Sequence, residues 1–110
     1  MIVRRSDRHP VPSAHGDHVH KELLLKGGIV PGLTQVAEST VAPASAIEIH
    51  NHPTMWEFFF VLSGEAIYIL DGEEFLVGPG DLFVVPPGRE HSQKTRTDSH
   101  TVLHWGLATD

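Results

Sequence analysis

The sequence predicts an all-β domain, a closed barrel or sandwich, on three observations. Turn signals recur every eight to twelve residues from Leu33 onward. The segments between them alternate apolar with polar residues, or are rich in β-branched and aromatic ones, as half-buried strands are. No segment of useful length repeats at the helical period.

In chain order, residues 1–20 hold two prolines and no sustained period, and are expected to form an extended arm. "KELLLKGG" reads as an edge strand and a turn at Gly27-Gly28. "LTQVAEST" alternates loosely and "AIEIH" strictly. "EFFFVL" is aromatic and β-branched and is closed by "SG". "EAIYIL", "DG" and "EEFLV" make the strongest hairpin signal in the chain. "GPGD" turns into "LFVV", "PPG" ends that strand, and "HTVLHWGLA" supplies the last. The division expected is an arm over 1–20 and one barrel domain over 21–110, since 110 residues suffice for a single core.

Composition narrows the function. Eight Lys plus Arg against 14 Asp plus Glu give a net charge of -6, so no nucleic-acid partner is expected. The basic cluster Arg4, Arg5 and Arg8 is short and reads as a solvated arm. There is no cysteine, hence no disulfide, thiolate site or thiol nucleophile. The longest apolar run, Phe58 to Leu62, is five residues, far below the roughly 20 that span a membrane. The N-terminus lacks the apolar core of a signal peptide, so the expectation is a cytoplasmic protein with no membrane partner. Nine histidines are well above ordinary usage.

Two of these fall together in "HNHPTMWE". Residues i and i+2 of a strand share a face, so His50 and His52 point the same way. Pro53 ends the strand, "PTM" turns the chain, and Glu57 can face back toward the same point from the next strand. His91, after "PPGRE", is the candidate fourth ligand. Imidazole with carboxylate suits zinc, iron, manganese, nickel or copper rather than calcium. Taken alone, a His-x-His pair is more often surface chemistry than a ligand pair.

The residues around this pair are similar to the cupin superfamily, in particular to small single-domain bacterial cupins of the RmlC-like type. The first cupin motif, G-x5-H-x-H-x(3,4)-E-x6-G, is met in register by His50, His52, Glu57 and Gly64, with Ala44 at its first glycine. The second, G-x5-P-x-G-x2-H-x3-N, is met by Gly80, Pro86, Gly88 and His91, with Thr95 at its asparagine. Alanine at position 44 suggests a turn without positive φ, and Thr95 removes a polar contact near the site.

The resemblance implies a double-stranded β-helix, that is, a jelly-roll barrel. It implies one divalent transition metal ion (iron, manganese, zinc, nickel or copper) held by His50, His52, Glu57 and His91. It also implies a homodimer, made by exchange of N-terminal strands.

Strand parity extends the reading. An inward Glu57 puts Phe59 and Val61 on its face, and Phe58, Phe60 and Leu62 on the other. Phe59 is then ordinary core or a substrate wall. His104 alternates with Leu103 and Trp105; it faces the barrel interior as a proton-moving or orienting catalytic group, or lies outward. Met55 and Trp56 either rim the cavity or simply pack, while Phe83 and Val85 could hold the apolar part of a substrate. His15, His18 and His20 of the arm form a weak second metal patch, or belong to a disordered or partner-packed segment.

The function expected first is a mononuclear metal-dependent, dioxygenase-like oxidoreductase acting on a small organic molecule. The alternatives are a metal-dependent isomerase, lyase or polyketide-type cyclase, or a non-catalytic small-molecule-binding module.

Overall fold

The computed structural model describes residues 1–109. A single 3-10 turn at Arg5–Asp7 precedes ten strands. These are β1 (His9–Val11), β2 (Val19–Leu25), β3 (Leu33–Val41), β4 (Ala46–His50), β5 (Met55–Ser63), β6 (Ala66–Leu70), β7 (Glu73–Val77), β8 (Leu82–Val85), β9 (His91–Thr95) and β10 (His100–Ala108). They form two antiparallel sheets, ordered β1-β2-β3-β10-β5-β8 and β4-β9-β6-β7. This is the all-β fold expected from the turn spacing, in the jelly-roll form that the cupin resemblance implies. Among the described residues no helix is long and apolar enough to cross a membrane.

Local chemistry accounts for the best-defined hairpin. β6 and β7 are joined by Asp71 and Gly72, at φ 48 and φ 84. Two successive positive φ values give the turn whose twist matches that of the flanking strands, which is why Asp-Gly favours it. Gly64, which closes β5, is constrained more tightly. At its φ of 73 a Cβ would stand 2.0 Å from the Ser99 carbonyl oxygen, so only glycine fits.

The core lies between the sheets. Phe59, Val61, Ala66, Tyr68, Val77, Val85 and Val102 form one buried cluster, with Leu70 and Phe83 packed against it. Val19, Val41 and Ile47 form a second, smaller cluster. Each fully buried large apolar side chain contributes roughly 1.5–3 kcal/mol.

Three features depart from the sequence reading. The first 20 residues are not a free arm, because β1 pairs with β2 through His9↔Leu23 and β2 pairs with β3 from Val19. The boundary drawn between residues 20 and 21 therefore falls inside a strand. The physical reason is that backbone hydrogen bonding extends a sheet without any side-chain periodicity. Arg8 adds a side-chain anchor, its guanidinium 3.2 Å from Glu38.

Secondly, "HSQKT" is strand β9, although nothing apolar marks it. It is held by ladders to β4 on one side and β6 on the other. Thirdly, Ala44 does adopt a positive φ, 53. The turn keeps the geometry a glycine would favour and places alanine in it. Thr95 serves that same turn, its hydroxyl accepting from Ser45 N at 2.8 Å and lying 2.6 Å from the Ala42 carbonyl oxygen.

Candidate metal centre and cavity

Three segments bring the predicted ligands together. His50 ends β4 and is paired in register with His91, which opens β9. His52 follows in the turn, and Glu57 sits on β5. One donor atom from each of His50, His52, Glu57 and His91 lies within 4.8 Å of all the others. Among the described residues this is the group that could hold a metal ion.

Hydrogen bonding aims the donors. His91 Nδ1 lies 3.0 Å from the Arg89 carbonyl oxygen and His50 Nδ1 lies 2.9 Å from that of Glu48. A carbonyl only accepts, so Nδ1 carries the proton in both rings and Nε2 keeps its lone pair for a cation. His91 Nε2 stands 2.9 Å from Glu57 Oε1, and His52 Nε2 3.1 Å from the same oxygen. His91 Nε2 and Glu57 Oε1 are buried and neither has a hydrogen-bond partner. Two buried, unpaired, electron-rich atoms at this distance are what a coordinating cation would satisfy. The donor set fits a divalent transition metal ion.

The electrostatics agree. Burial pushes the Glu57 carboxyl upward, but the His91, His52 and His50 rings outweigh it and hold the group below the ordinary carboxylate range. Burial lowers His50. At His91 burial pulls downward, and the Glu57 carboxylate with the Arg89 carbonyl reverses the direction.

A cavity of about 190 Å³ opens from this cluster. His50, His52 and Glu57 line it at one end, Met55, Phe59 and Val102 form apolar wall, and Lys21, Gln35, Ser39 and His104 bring polar groups. His104 Nε2 is 2.8 Å from Ser39 Oγ, and its ring stacks on Phe59 with centroids 5.9 Å apart. Burial first, and the positive charge of Lys21 second, hold the His104 imidazole down at about 4. Gly106 pairs with Glu57 on the neighbouring strand. A Cβ there would come within 2.4 Å of Met55 Sδ, so the missing side chain makes room for Met55 at the wall.

The cupin domain family matches residues 37–106, the span that carries all four donors. This chain belongs to the cupin domain family. No curated protein matches it. Among solved structures, a predicted oxalate decarboxylase from Thermotoga maritima superposes with a TM-score of 0.86 at 21% identity, covering 98% of this chain and 99% of that one. KdgF from Halomonas sp. superposes with a TM-score of 0.85 at 16% identity, over 98% of this chain and 93% of that one. The DMSP lyase DddQ from Ruegeria pomeroyi gives 0.79 at 21% identity, over 94% of this chain and 57% of that one. At these identities the likeness is one of fold.

The cupin barrel places the remaining predicted residues unequally. Phe59 is both core and cavity wall, and Met55 and His104 line the cavity. Trp56 does not: between inward Met55 and Glu57 it faces outward and is 40% exposed. Phe83 and Val85 also lie outside the lining, because β8 delivers them to the core cluster around Tyr68. His15, His18 and His20 do not converge on one another. His15 reaches Glu48 at 3.0 Å and its ring sits 4.8 Å from that of His50, while His18 bonds the Ala46 carbonyl.

The cavity also uses residues the sequence reading passed over: Lys21, Gln35, Ser39, Gln93 and, from the arm, Ser13 and Ala14, with His15 beside them. Gln35, Ala37 and Ser39 share one face of β3 by parity. Leu33 and Val41 lie on the same face, so alternation marked that face as inward without singling out its two polar members as cavity groups.

Proposed function

We propose that this cupin is a mononuclear metal-dependent enzyme acting on a small oxygen-bearing organic molecule, by bond cleavage or isomerisation coupled to proton transfer. The observation that carries the proposal is the His104–Ser39 pair, at 2.8 Å, facing the same cavity as the His50, His52, Glu57 and His91 donor group. A divalent metal held there would supply Lewis acidity toward a substrate oxygen. His104 stays neutral at physiological pH, since its proton affinity is held at about 4. A neutral imidazole bonded to a hydroxyl works in both directions. Accepting from Ser39 leaves Nδ1 a donor, and donating to Ser39 leaves Nδ1 a base. Phe59 fixes the ring plane by stacking.

Two of the similar structures bear names of bond-cleaving enzymes, a predicted oxalate decarboxylase and a DMSP lyase, which supports this class. The oxidoreductase reading is the second, favoured by a three-imidazole, one-carboxylate donor set that also suits iron. A homodimer belongs to the proposal as well. It is supported by the outer face of the larger sheet, where Trp56, Phe60, Leu62, Leu82 and Leu107 are exposed. A monomer by light scattering would remove that part.

The test is elemental analysis of protein purified without added metal, followed by a small-acid substrate panel with oxygen monitored. Turnover without oxygen uptake supports the lyase or isomerase. Oxygen consumption coupled to turnover overturns it in favour of the oxidoreductase. Failure to hold any divalent metal overturns both.

A further inference from the structure

Lys21 is the feature of the cavity that metal chemistry does not use. It lies on β2, and its Cα partners across the sheet are Val11 and Ser39, neither of them charged. Among the described residues the ion pairs engage Arg8, Arg89, Lys94 and three histidines, and none engages Lys21. The side chain lines the cavity, where the sole carboxylate is Glu57 of the donor group.

Lys21 is half-buried at the cavity wall, and this partial burial lowers its proton affinity. A charge with no anion beside it gains from an anionic partner. Its charge is felt at the His104 ring, and it stands beside Ser39, whose hydroxyl is tied to His104.

Position on the sheet sets a length. β2 and β5 are separated by β3 and β10, which makes three strand spacings between Lys21 and Glu57. Through Ser39 and Val102, Lys21 lines up with Val61, four residues along β5 from Glu57, so the two stand roughly 20 Å apart along the sheet at the backbone before side chains reach inward from both ends. The remaining gap suits a short-chain molecule. The cavity, about 190 Å³, is smaller than the roughly 300–1,000 Å³ pockets that take drug-sized ligands.

We propose that Lys21, with Ser39 beside it, is an anion subsite, and that the substrate is a short-chain carboxylic acid with a second oxygen function. The carboxylate sits against Lys21 and the second oxygen faces the donor cluster at the opposite end. His104 lies between the two ends, against the carbon chain. This assignment rests on the metal-enzyme reading for its second oxygen, while the Lys21 contact stands on its own. The carboxylate also supplies the missing counter-charge, so the lysine selects anionic over neutral ligands of the same shape.

The experiment is calorimetric titration of Co(II)-loaded protein with succinate, and with neutral succinamide as the isosteric control. Wild type, Lys21→Met and Lys21→Arg are compared, and each is checked for folding by thermal denaturation. Lys21→Met is expected to weaken succinate binding roughly tenfold or more, as loss of a charge-assisted contact does. Succinamide binding should not change, and Lys21→Arg should keep most of the succinate affinity. Equal succinate affinity in wild type and Lys21→Met overturns the subsite, as does the absence of succinate binding in wild type. Repeating the series without metal separates the two readings. Lys21-dependent succinate binding in a protein that takes up no Co(II) supports the subsite and sinks the metal enzyme. One Co(II) per chain with no Lys21 dependence does the reverse.

Discussion

His91 Nε2 and Glu57 Oε1 lie 2.9 Å apart, both buried, and neither makes a hydrogen bond. A cation between the donors satisfies both atoms at once, so metal binding should stabilise the fold. At a free metal concentration one hundred times Kd the gain is about 2.7 kcal/mol, a rise in Tm of roughly 10 °C for a domain of this size. Differential scanning fluorimetry with zinc, manganese, nickel and cobalt checks it. His52→Ala should abolish the rise, and a full rise in that variant would take His52 out of the ligand set.

His104 carries a pH signature. Its ordinary value is 6.5, and burial, with help from Lys21, holds it at about 4 in the native state. The unfolded chain takes up its proton near 6.5 while the folded chain stays neutral to about 4. Its contribution is therefore complete above the upper value and is lost as pH falls through the window. Integrated across that window the loss is roughly 3 kcal/mol. Urea melts of wild type and His104→Gln at several pH values should converge as pH falls toward 4. Parallel curves would show that His104 does not carry the slope.

Ala44 stands at φ 53, where an L side chain crowds its own backbone. Ala44→Gly relieves that strain and gives back part of the gain as unfolded-chain entropy. The expected net effect is a stabilisation of roughly 0.5–1 kcal/mol, read as a higher denaturant midpoint at unchanged slope. A lower midpoint would contradict the strain.

Tyr68 and His100 are both fully buried, with the phenol oxygen 2.6 Å from His100 Nε2. Tyr68→Phe leaves that nitrogen without a partner and should cost about 1–3 kcal/mol. Tyr68→Phe combined with His100→Leu should recover part of the loss, since removing both polar partners costs less than stranding one. If the double variant is the sum of the singles, the bond contributes no coupling.

How much of this was legible beforehand depends on the range of the forces involved. The Asp71-Gly72 hairpin follows from two residues' backbone preferences. The common face of Glu57, Phe59 and Val61 follows from strand parity, and Phe59 and Val61 are accordingly buried while Phe60 and Leu62 are exposed. The His-x-His spacing with Glu57 and His91 named four side chains that do meet, because motif spacing encodes barrel register.

Composition alone could not say which face of each strand was inside. The usual rule is reversed along part of this barrel. Gln35 and Ser39 point into the cavity, whereas Phe58 and Trp105 stack on the outer face. A strand as polar as "HSQKT" is held because its neighbours on both sides satisfy its backbone, and that pairing has no local trace. Lys21 became a cavity residue only when β2 closed against β3. Short-range preferences and spacing write turns, alternation and ligand order into the chain. Which polar groups end up sharing one enclosed volume is set by strand-to-strand closure over long sequence separations, and periodicity along a single strand carries no record of it.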